Sequence, residues 1–565
     1  MVSQSSDDTP TGPIGGQTQR IPMHAAGRRP VVAAAAGPEP TPRWNTVRDL
    51  TAAALLVGAP LLPWNLYFGV GIPGSNSTLF DAVLAVTLLS LVSLAVSHLG
   101  PMRSSPTMAG RLRLGLNVPY LLLVLAFVGF DALQTVRFGG TVHVPGGVGP
   151  GAWLGVAGSL LSAQPTITGP ADDKAGAARI IGYASMLGAV GSFGFNLFWR
   201  VRYALGGSDF GKQNIAVITT AVVYGVVALV AVVLASGWLL RDTRATRLAT
   251  VALGTSTLVA GIIVWSLPGG RDIDAFHGIA QNTSTAGVGF EGYLAWAAAA
   301  AIFLPKTLFG HPTTSAPEGH AWRAAARNGL LLIAVWCLGS MAMRITDLVV
   351  AVSLNYPFSR YDSLVLAAFD LATAVLAIWL RVNLVNDALS ARLITSLCGF
   401  VATLSIARVV VGVALAPRFA ASPDSPAHHP VYGNDLAEQI TSTFDVALSG
   451  LGLCILAAAI STGHLSGRRL RRRRAAGKRA VPPGAPPRPV APPRPRVQVS
   501  RTTPPSAAAT TRIRTDPPAT ATDSPTTVLP QPARSPRIFR GPEDHESATR
   551  QIPIQQPKIY RPPQT

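Results

Sequence analysis

The chain has 565 residues, of which 48% are hydrophobic and only 13% are charged. That charged share is about half of what an ordinary soluble domain carries, and the apolar residues form long blocks that recur between Leu50 and Thr462. A helix needs about 20 consecutive apolar residues to cross hydrocarbon about 30 Å thick. The pattern therefore predicts an all-α, polytopic transmembrane helix bundle and excludes an ordinary soluble fold.

The net charge of +20 is distributed unevenly along the chain. Residues 464–565 carry 20 Lys and Arg against 5 acidic residues, whereas residues 49–463 carry 22 against 19. A basic segment directly after a last membrane helix is typical of cytoplasmic topology and of binding to anionic lipid. We therefore predict two partners, the lipid bilayer itself and anionic lipid at Arg468–Arg479, and we predict no nucleic acid.

Three regions follow from the positions of the apolar blocks. Residues 1–48 are polar, rich in Pro and Gly and without periodicity, which predicts a disordered cytoplasmic arm. Residues 49–463 form the predicted transmembrane helical domain, and residues 464–565 form a basic, Pro- and Thr-rich disordered cytoplasmic tail. Within the domain we predict about twelve crossings, at residues 50–72, 79–99, 114–136, 148–164, 180–199, 214–240, 248–267, 288–305, 329–354, 363–380, 393–416 and 440–462.

The direction of the crossings follows from Lys and Arg, which stay on the cytoplasmic side of short loops. An N-terminus inside the cell places most of these residues in inner loops. It predicts a multi-pass protein of the bacterial inner (plasma) membrane with both termini in the cytoplasm. Arg200, Arg202 and Lys212 disagree, because they would lie outside. If residues 148–199 do not span twice, ten crossings remain and both termini stay inside.

Seven ionisable residues fall within the predicted crossings and are the candidate functional charges: Asp81, Asp131, Arg344, Asp347, Asp370, Arg408 and Asp445. Each costs at least about 2.5 kcal/mol at the bilayer centre if it faces lipid, so we expect them to face one another or water. Counting about 1.5 Å per residue along each helix places all seven in the outer half of the membrane. Arg344 and Asp347 have i, i+3 spacing and can pair on one helix face.

Two interpretations of these charges remain open. Buried ion pairs could serve only to hold the last four predicted helices together. Alternatively, five Asp meet two Arg, so that some carboxylates must be protonated or bind a cation, as a proton-coupled transporter requires. Phe followed by an acidic residue also occurs five times near predicted outer helix ends. This recurrence resembles a degenerate two-helix repeat, and transporters are often built from repeats.

The predicted tails share the short pattern Thr-x-x-Ile/Leu-Pro. It occurs three times, beginning at Thr18, Thr526 and Thr549. The spacing resembles that of ligands of forkhead-associated domains, which bind phosphothreonine through cationic contacts. These three residues are candidate phosphothreonines, with phosphothreonine-reading proteins as their partners. The alternative is chance recurrence in a sequence rich in Thr and Pro.

The chain combines an Ala-, Val- and Leu-rich helical core, a Pro- and Arg-rich tail, and a Gly-rich loop that leads into Gly151–Gly155. In this it resembles uncharacterised multi-pass integral membrane proteins of actinobacteria. The resemblance implies an inner-membrane location and offers no activity.

The function stays open between two classes. The first is a secondary transporter or exporter of envelope precursors that uses an outer-half Asp/Arg cluster. The second is a membrane-anchored envelope scaffold or signalling protein whose phosphorylatable tails recruit partners. The sequence contains no Walker phosphate loop, GxSxG elbow or HExxH helix. We therefore predict no enzyme, no catalytic residue, no metal site and no cofactor.

Overall fold

The computed structural model describes residues 41–64, 77–96, 106–138, 147–165, 175–206, 210–267, 289–309, 318–355, 360–386, 389–415 and 442–477. Within these ranges the regular structure consists of twelve α-helices and one 3-10 turn at Ala59–Leu61, with no β-strand. Most of both predicted tails, including Thr18, Thr526 and Thr549, lies outside them.

The helices in chain order are α1 (Thr41–Gly58), α2 (Ser77–Val96), α3 (Pro106–Phe138), α4 (Pro150–Ser162), α5 (Ala175–Leu205), α6 (Lys212–Leu240), α7 (Arg244–Ser266), α8 (Phe290–Phe309), α9 (Glu318–Leu354), α10 (Arg360–Asn383), α11 (Ala391–Ala414) and α12 (Thr443–Gly477). Each predicted crossing overlaps one of them, so the predicted helical bundle is confirmed. The helix limits differ from the prediction at several places, and two of these differences fall at the ends of the predicted transmembrane domain. The first helix includes the last residues of the predicted arm, and the twelfth continues into the predicted tail.

Nine helices in the described part of the chain are long and apolar enough to cross a membrane, namely α2, α3, α5, α6, α7, α9, α10, α11 and α12. The protein is therefore a multi-pass membrane protein. In α8 the apolar stretch is shorter, and α4 has only 13 residues, which is about 20 Å of helix. Of the two segments that the ten-crossing alternative removes, α5 is long enough to span and α4 is not.

The short helix α4 is the most enclosed element of the bundle, since all but one of its residues are buried. It packs against α1, α3 and α8. Backbone N–H groups at its beginning form hydrogen bonds with carbonyl groups of another segment. Gly149 N–H donates to Trp64 O over 2.6 Å, and Gly151 N–H donates to Pro63 O over 2.9 Å. Backbone groups away from water need such partners. The segment that follows α1 and the 3-10 turn therefore fixes the beginning of α4.

Glycine allows the neighbouring helices to approach α4 closely. A Cβ atom at Gly155 would lie 2.2 Å from the Tyr120 hydroxyl of α3, and one at Gly158 would lie 2.9 Å from Leu56 Cγ of α1. A glycine also allows the close contact between α7 and α8, where a Cβ at Gly254 would lie 2.2 Å from the carbonyl oxygen of Trp296. Small residues at helix contacts are the usual basis of packing in membranes.

An aromatic cluster connects α4 to the last helices. Trp153 of α4 contacts Tyr293 of α8 at a centroid distance of 4.8 Å. Phe444, in the first turn of α12, lies 5.7 Å from Trp296 and 4.7 Å from Trp336 of α9. These rings are fully or almost fully buried. The cluster therefore fixes the beginning of α12 against α8 and α9.

We expect Gly155→Ala to lower the melting temperature of the protein in detergent, because overpacking a tight helix contact costs about 1–3 kcal/mol. Gly115→Ala on α3 is the matched control, since a Cβ there would meet nothing within 4 Å. Thermal unfolding followed by size-exclusion chromatography measures both variants. Equal melting temperatures for the two would contradict the close contact between α3 and α4.

Candidate functional site

Four consecutive helices contribute one charged side chain each to a buried ion network. Arg344 of α9 donates from Nε to Asp370 Oδ2 of α10 over 2.9 Å. Arg408 of α11 lies 3.1 Å from Oδ1 of Asp370 and also pairs with Asp445 of α12. All four side chains are at most 5% exposed. Together with Asp347, described below, these residues are called the α9–α12 network.

Neutral donors complete the surroundings of two carboxylates. Ser340 Oγ donates to Asp370 Oδ2 over 2.8 Å, and Trp336 Nε1 donates to Asp445 Oδ1 over 2.6 Å. Asp445 also accepts hydrogen bonds from the backbone N–H and the hydroxyl of Ser442, at 2.8 and 3.1 Å. A carboxylate in this position caps the first turn of a helix and is favoured by the helix dipole. Asp445 thus combines an ion pair with a helix cap.

Asp347 attaches α6 to the network. Tyr224 of α6 donates its phenolic hydrogen to Asp347 Oδ1, and both residues are 1% exposed. Asp347 also lies within range of electrostatic attraction to Arg344, one turn earlier on α9. The sequence spacing predicted a pair between these two residues. The structure directs Arg344 Nε across to Asp370 and gives Asp347 a partner on α6.

The other two predicted charges lie elsewhere. Asp81 and Asp131 belong to α2 and α3, which pack against each other and against α4. Asp81 is exposed on the surface of α2, whereas Asp131 is buried. The structure therefore brings five of the seven predicted residues together and places these two outside the α9–α12 network.

A second buried ion cluster was not predicted from the sequence. Arg48 of α1 and Arg113 of α3 both pair with Asp49 Oδ1, at 2.8 and 2.7 Å. Arg48 also donates to Pro165 O, and Arg113 donates to Ser162 O, each over 2.7 Å. We call Arg48, Asp49 and Arg113 the α4 anchor, because cations at the last carbonyls of a helix stabilise its C-terminal end.

Sequence reasoning assigned Arg48 to the polar arm and Arg113 to an inner loop, yet both side chains are fully buried. The adjacent pair Arg48-Asp49 at the beginning of the first apolar block was the available indication. A further acidic residue outside the predicted set is Glu291, in the first turn of α8. It accepts a hydrogen bond from Ser192 of α5, and Ser185 of α5 donates to its backbone oxygen over 2.8 Å.

The arrangement of ionisable side chains limits the chemistry of the described residues. No group of three or more His, Cys, Asp or Glu side chains among them is placed to hold a metal ion. The α9–α12 network instead combines carboxylates, guanidiniums and hydroxyls. It can hold and exchange ion pairs, and its carboxylates can accept protons.

These features define an α-helical multi-pass membrane protein with a buried ion network. The chain belongs to the family of the domain of unknown function DUF7937, whose model matches residues 45–464. The matched range has nearly the same limits as the predicted transmembrane domain and includes the whole α9–α12 network. The comparison with curated proteins finds no match, and neither does the comparison with solved structures.

We expect Arg408→Met to destabilise the protein by about 3–5 kcal/mol, because removal of one partner leaves buried carboxylates without compensation. Asp81→Asn is the control, and a change at that exposed site should stay within about 0.5 kcal/mol. Thermal unfolding in detergent compares the variants. The double variant Arg408→Met/Asp445→Asn should recover part of the lost stability, whereas additive losses would show that the two residues are not coupled.

Proposed function

We propose that the protein is a secondary transporter or exporter of envelope precursors in the bacterial inner membrane, and that the α9–α12 network is its coupling site. The observation that carries this proposal is the imbalance of one enclosed set of charges. Two guanidiniums, Arg344 and Arg408, face the carboxylates of Asp347, Asp370 and Asp445.

A network that only holds helices together gains nothing from an extra negative charge, because an uncompensated charge is costly away from water. A transporter that couples to protons needs a carboxylate whose charge is compensated by a bound proton in part of its cycle. The imbalance therefore favours coupling over packing as the reason for these residues.

The position of the network along its helices supports the same function. α9 continues for ten residues beyond Arg344, and α10 begins ten residues before Asp370, which is about 15 Å of helix in each case. These flanking segments expose apolar side chains, among them Val349 and Leu364. If the flanking segments lie in hydrocarbon about 30 Å thick, the network lies near its middle, which is deeper than the outer-half position predicted from the sequence.

α12 begins only two residues before Asp445, so in this placement its N-terminus would begin inside the membrane. Transporters often form their binding sites near the midplane from helices that begin or break there. Arg408 contacts carboxylates on both α10 and α12, and a shift of α11 could strengthen one ion pair at the expense of the other. We retain the predicted orientation, with both termini in the cytoplasm, as part of the proposal.

The second candidate is a membrane-anchored envelope scaffold or signalling protein. Its support is the uninterrupted course of α12 from the membrane segment into the basic run, as far as Gly477. Such a helix would present the Thr- and Pro-rich tail, with Thr526 and Thr549, to phosphothreonine-reading proteins. The N-terminal Thr18 would act in the same way.

Complementation of a strain that lacks the gene separates the two candidates. A chain truncated after Gly477 retains every described residue and removes the rest of the tail. The double variant Arg408→Gln/Asp445→Asn removes one charge of each sign, so it leaves the net charge of the α9–α12 network unchanged. Asp81→Asn is the control. For a transporter we expect the truncated chain and the control to complement and the double variant to fail.

The opposite result, with a functional double variant and an inactive truncated chain, would overturn transport in favour of the scaffold. Immunoblots of membrane fractions verify that each variant inserts. A double variant that is absent from the membrane would be replaced by Asp370→Glu, which keeps the charge and changes the distances to both guanidiniums. Complementation by that variant at wild-type level would also contradict the proposal.

We also propose that the basic run Arg468–Arg479 binds anionic lipid, which is worth about 1 kcal/mol per basic residue close to a membrane surface. The full chain in detergent should bind fluorescent phosphatidylglycerol more tightly than phosphatidylcholine, as measured by fluorescence anisotropy. High salt, or Gln at all six Arg between 468 and 474, should remove the difference. A preference that is unchanged by both would contradict this assignment.

A further inference from the structure

The helices of the described chain divide into three consecutive blocks of four, α1–α4, α5–α8 and α9–α12. In each block the first and third helices both pack against the second and the fourth. The sequences at the beginnings of the fourth helices are also similar, with GVGPGAWL at residues 147–154, GVGFEGYL at 287–294 and TSTFDVAL at 441–448. Many transporters are built from such internal repeats. In this alignment Glu291 of α8 corresponds to Asp445 of α12.

The third and fourth helices of the last two blocks also pack in a similar register. Gly254 of α7 and Gly399 of α11 each lie seven residues after an Arg-Leu pair. A Cβ at Gly254 would lie 2.5 Å from Ala300 Cβ of α8, and one at Gly399 would lie 3.7 Å from Leu456 Cδ1 of α12. When α8 is aligned with α12, these two partners differ by two positions, which is less than one turn of helix.

The first helix of each of these blocks supplies a hydrogen-bond donor to the acidic residue. Ser192 of α5 donates to Glu291, and Trp336 Nε1 of α9 donates to Asp445 Oδ1 over 2.6 Å. Both donors lie thirteen residues after the first arginine of their helix. Both acids lie in the first turn of a fourth helix. Glu291 and Asp445 therefore occupy equivalent places in the two blocks.

The surroundings of the two acids differ in polarity. Arg408, which pairs with Asp445, lies nine residues after Gly399, and the residue nine positions after Gly254 is Ile263. α7 thus presents an apolar residue where α11 presents a guanidinium. Asp445 is 3% exposed, whereas Glu291 is partly exposed at the contact between α5 and α8.

The length of α8 places Glu291 at depth in the membrane. The apolar stretch Phe290–Leu304 is about 22 Å long, which is less than the hydrocarbon thickness of about 30 Å. If Leu304 lies at one surface of the hydrocarbon, Glu291 lies about 20 Å from that surface and still inside. Hydrocarbon disfavours the charged form of a carboxyl group, so this position favours the protonated acid.

The ionisable groups on the helices around α8 are compatible with a proton at Glu291. α8 packs against α1, α4, α5, α6 and α7, of which α4 has no ionisable side chain and α7 has none between Leu248 and Ser266. The first cation after Ser192 on α5 is Arg200, about 12 Å along the helix. Tyr293 of α8 interacts electrostatically with Glu291. On α1 and α6, the α4 anchor contains Arg48 and Asp49, and Tyr224 is bonded to Asp347.

We propose that Glu291 is a proton-binding carboxyl group of the protein and the counterpart, in the α5–α8 block, of Asp445. This assignment rests on the transport function proposed above and adds a second residue, outside the α9–α12 network, to its coupling machinery. On protonation, the Glu291 carboxylate takes up a proton from the aqueous phase and becomes a neutral carboxylic acid.

Labelling of the full chain in lipid vesicles with dicyclohexylcarbodiimide tests the assignment. The reagent enters hydrocarbon and adds to a protonated carboxyl group, whose proton passes to a nitrogen of the carbodiimide, and a stable N-acylurea results. Mass spectrometry of peptides locates the label. We expect Glu291 to be labelled, with a loss of labelling as the pH is raised, and we expect the buried, ion-paired Asp445 to stay unlabelled.

Complementation tests the part that Glu291 takes in transport. Glu291→Gln should insert and fail to complement, whereas Glu291→Asp, which keeps an ionisable group, should restore growth. Ser185→Ala is the matched control, because it removes a hydrogen bond between α5 and the backbone of Glu291 and leaves the carboxyl group in place. It should complement and retain the label.

A Glu291 that is unlabelled at every pH overturns the proposal, whatever the result for the Arg408→Gln/Asp445→Asn variant. Wild-type complementation by Glu291→Gln also overturns it, because a coupling carboxyl group cannot be replaced by an amide. Should Glu291→Gln fail to insert, the peptide map of the unaltered chain decides alone. Labelling does not depend on a substrate, so a labelled Glu291 supports the proton site even if the α9–α12 network proves dispensable.

Discussion

The cost of a buried charge is the constraint on which the described architecture depends. Arg408 lies within a largely apolar helix, and it is stable there because carboxylates of α10 and α12 compensate it. That requirement fixes how the last four helices pack, and through Tyr224 and Asp347 it includes α6. The α4 anchor applies the same rule at the beginning of the bundle, where two guanidiniums share one carboxylate and donate to carbonyls at and just after the end of α4.

The number and order of the helices could be predicted because hydrophobic length is a local property of the sequence. The limits were less accurate, since helices continue beyond the apolar block when polar residues also favour the helical state, as at the end of α12. The burial of α4 could not be predicted. It depends on glycine contacts with α1 and α3, and these residues are distant in the chain.

The candidate site could be predicted in part from the sequence, because an ionisable residue in an apolar block can be recognised without a structure. Which residues pair could not be predicted, since helix spacing indicates only neighbours on one helix, as for Arg344 and Asp347. Partners on different helices depend on packing. The buried position of Arg113 was not predicted, because basic residues between apolar blocks were assigned to loops. A guanidinium that caps a helix inside the protein has the same sequence pattern.

The way in which α4 is fixed has a consequence for biogenesis. A 13-residue helix is too short to be held in a bilayer by its own hydrophobic length, so its position depends on α1 and α3. Arg48 and Pro165 are 117 positions apart, and the ribosome must therefore synthesise all of the first four helices before α4 can dock. Until that moment Arg48 and Arg113 lack two of their acceptors. Docking of α4 therefore follows the synthesis of α1, α2 and α3, and this part of the bundle can assemble while the later helices are still being made.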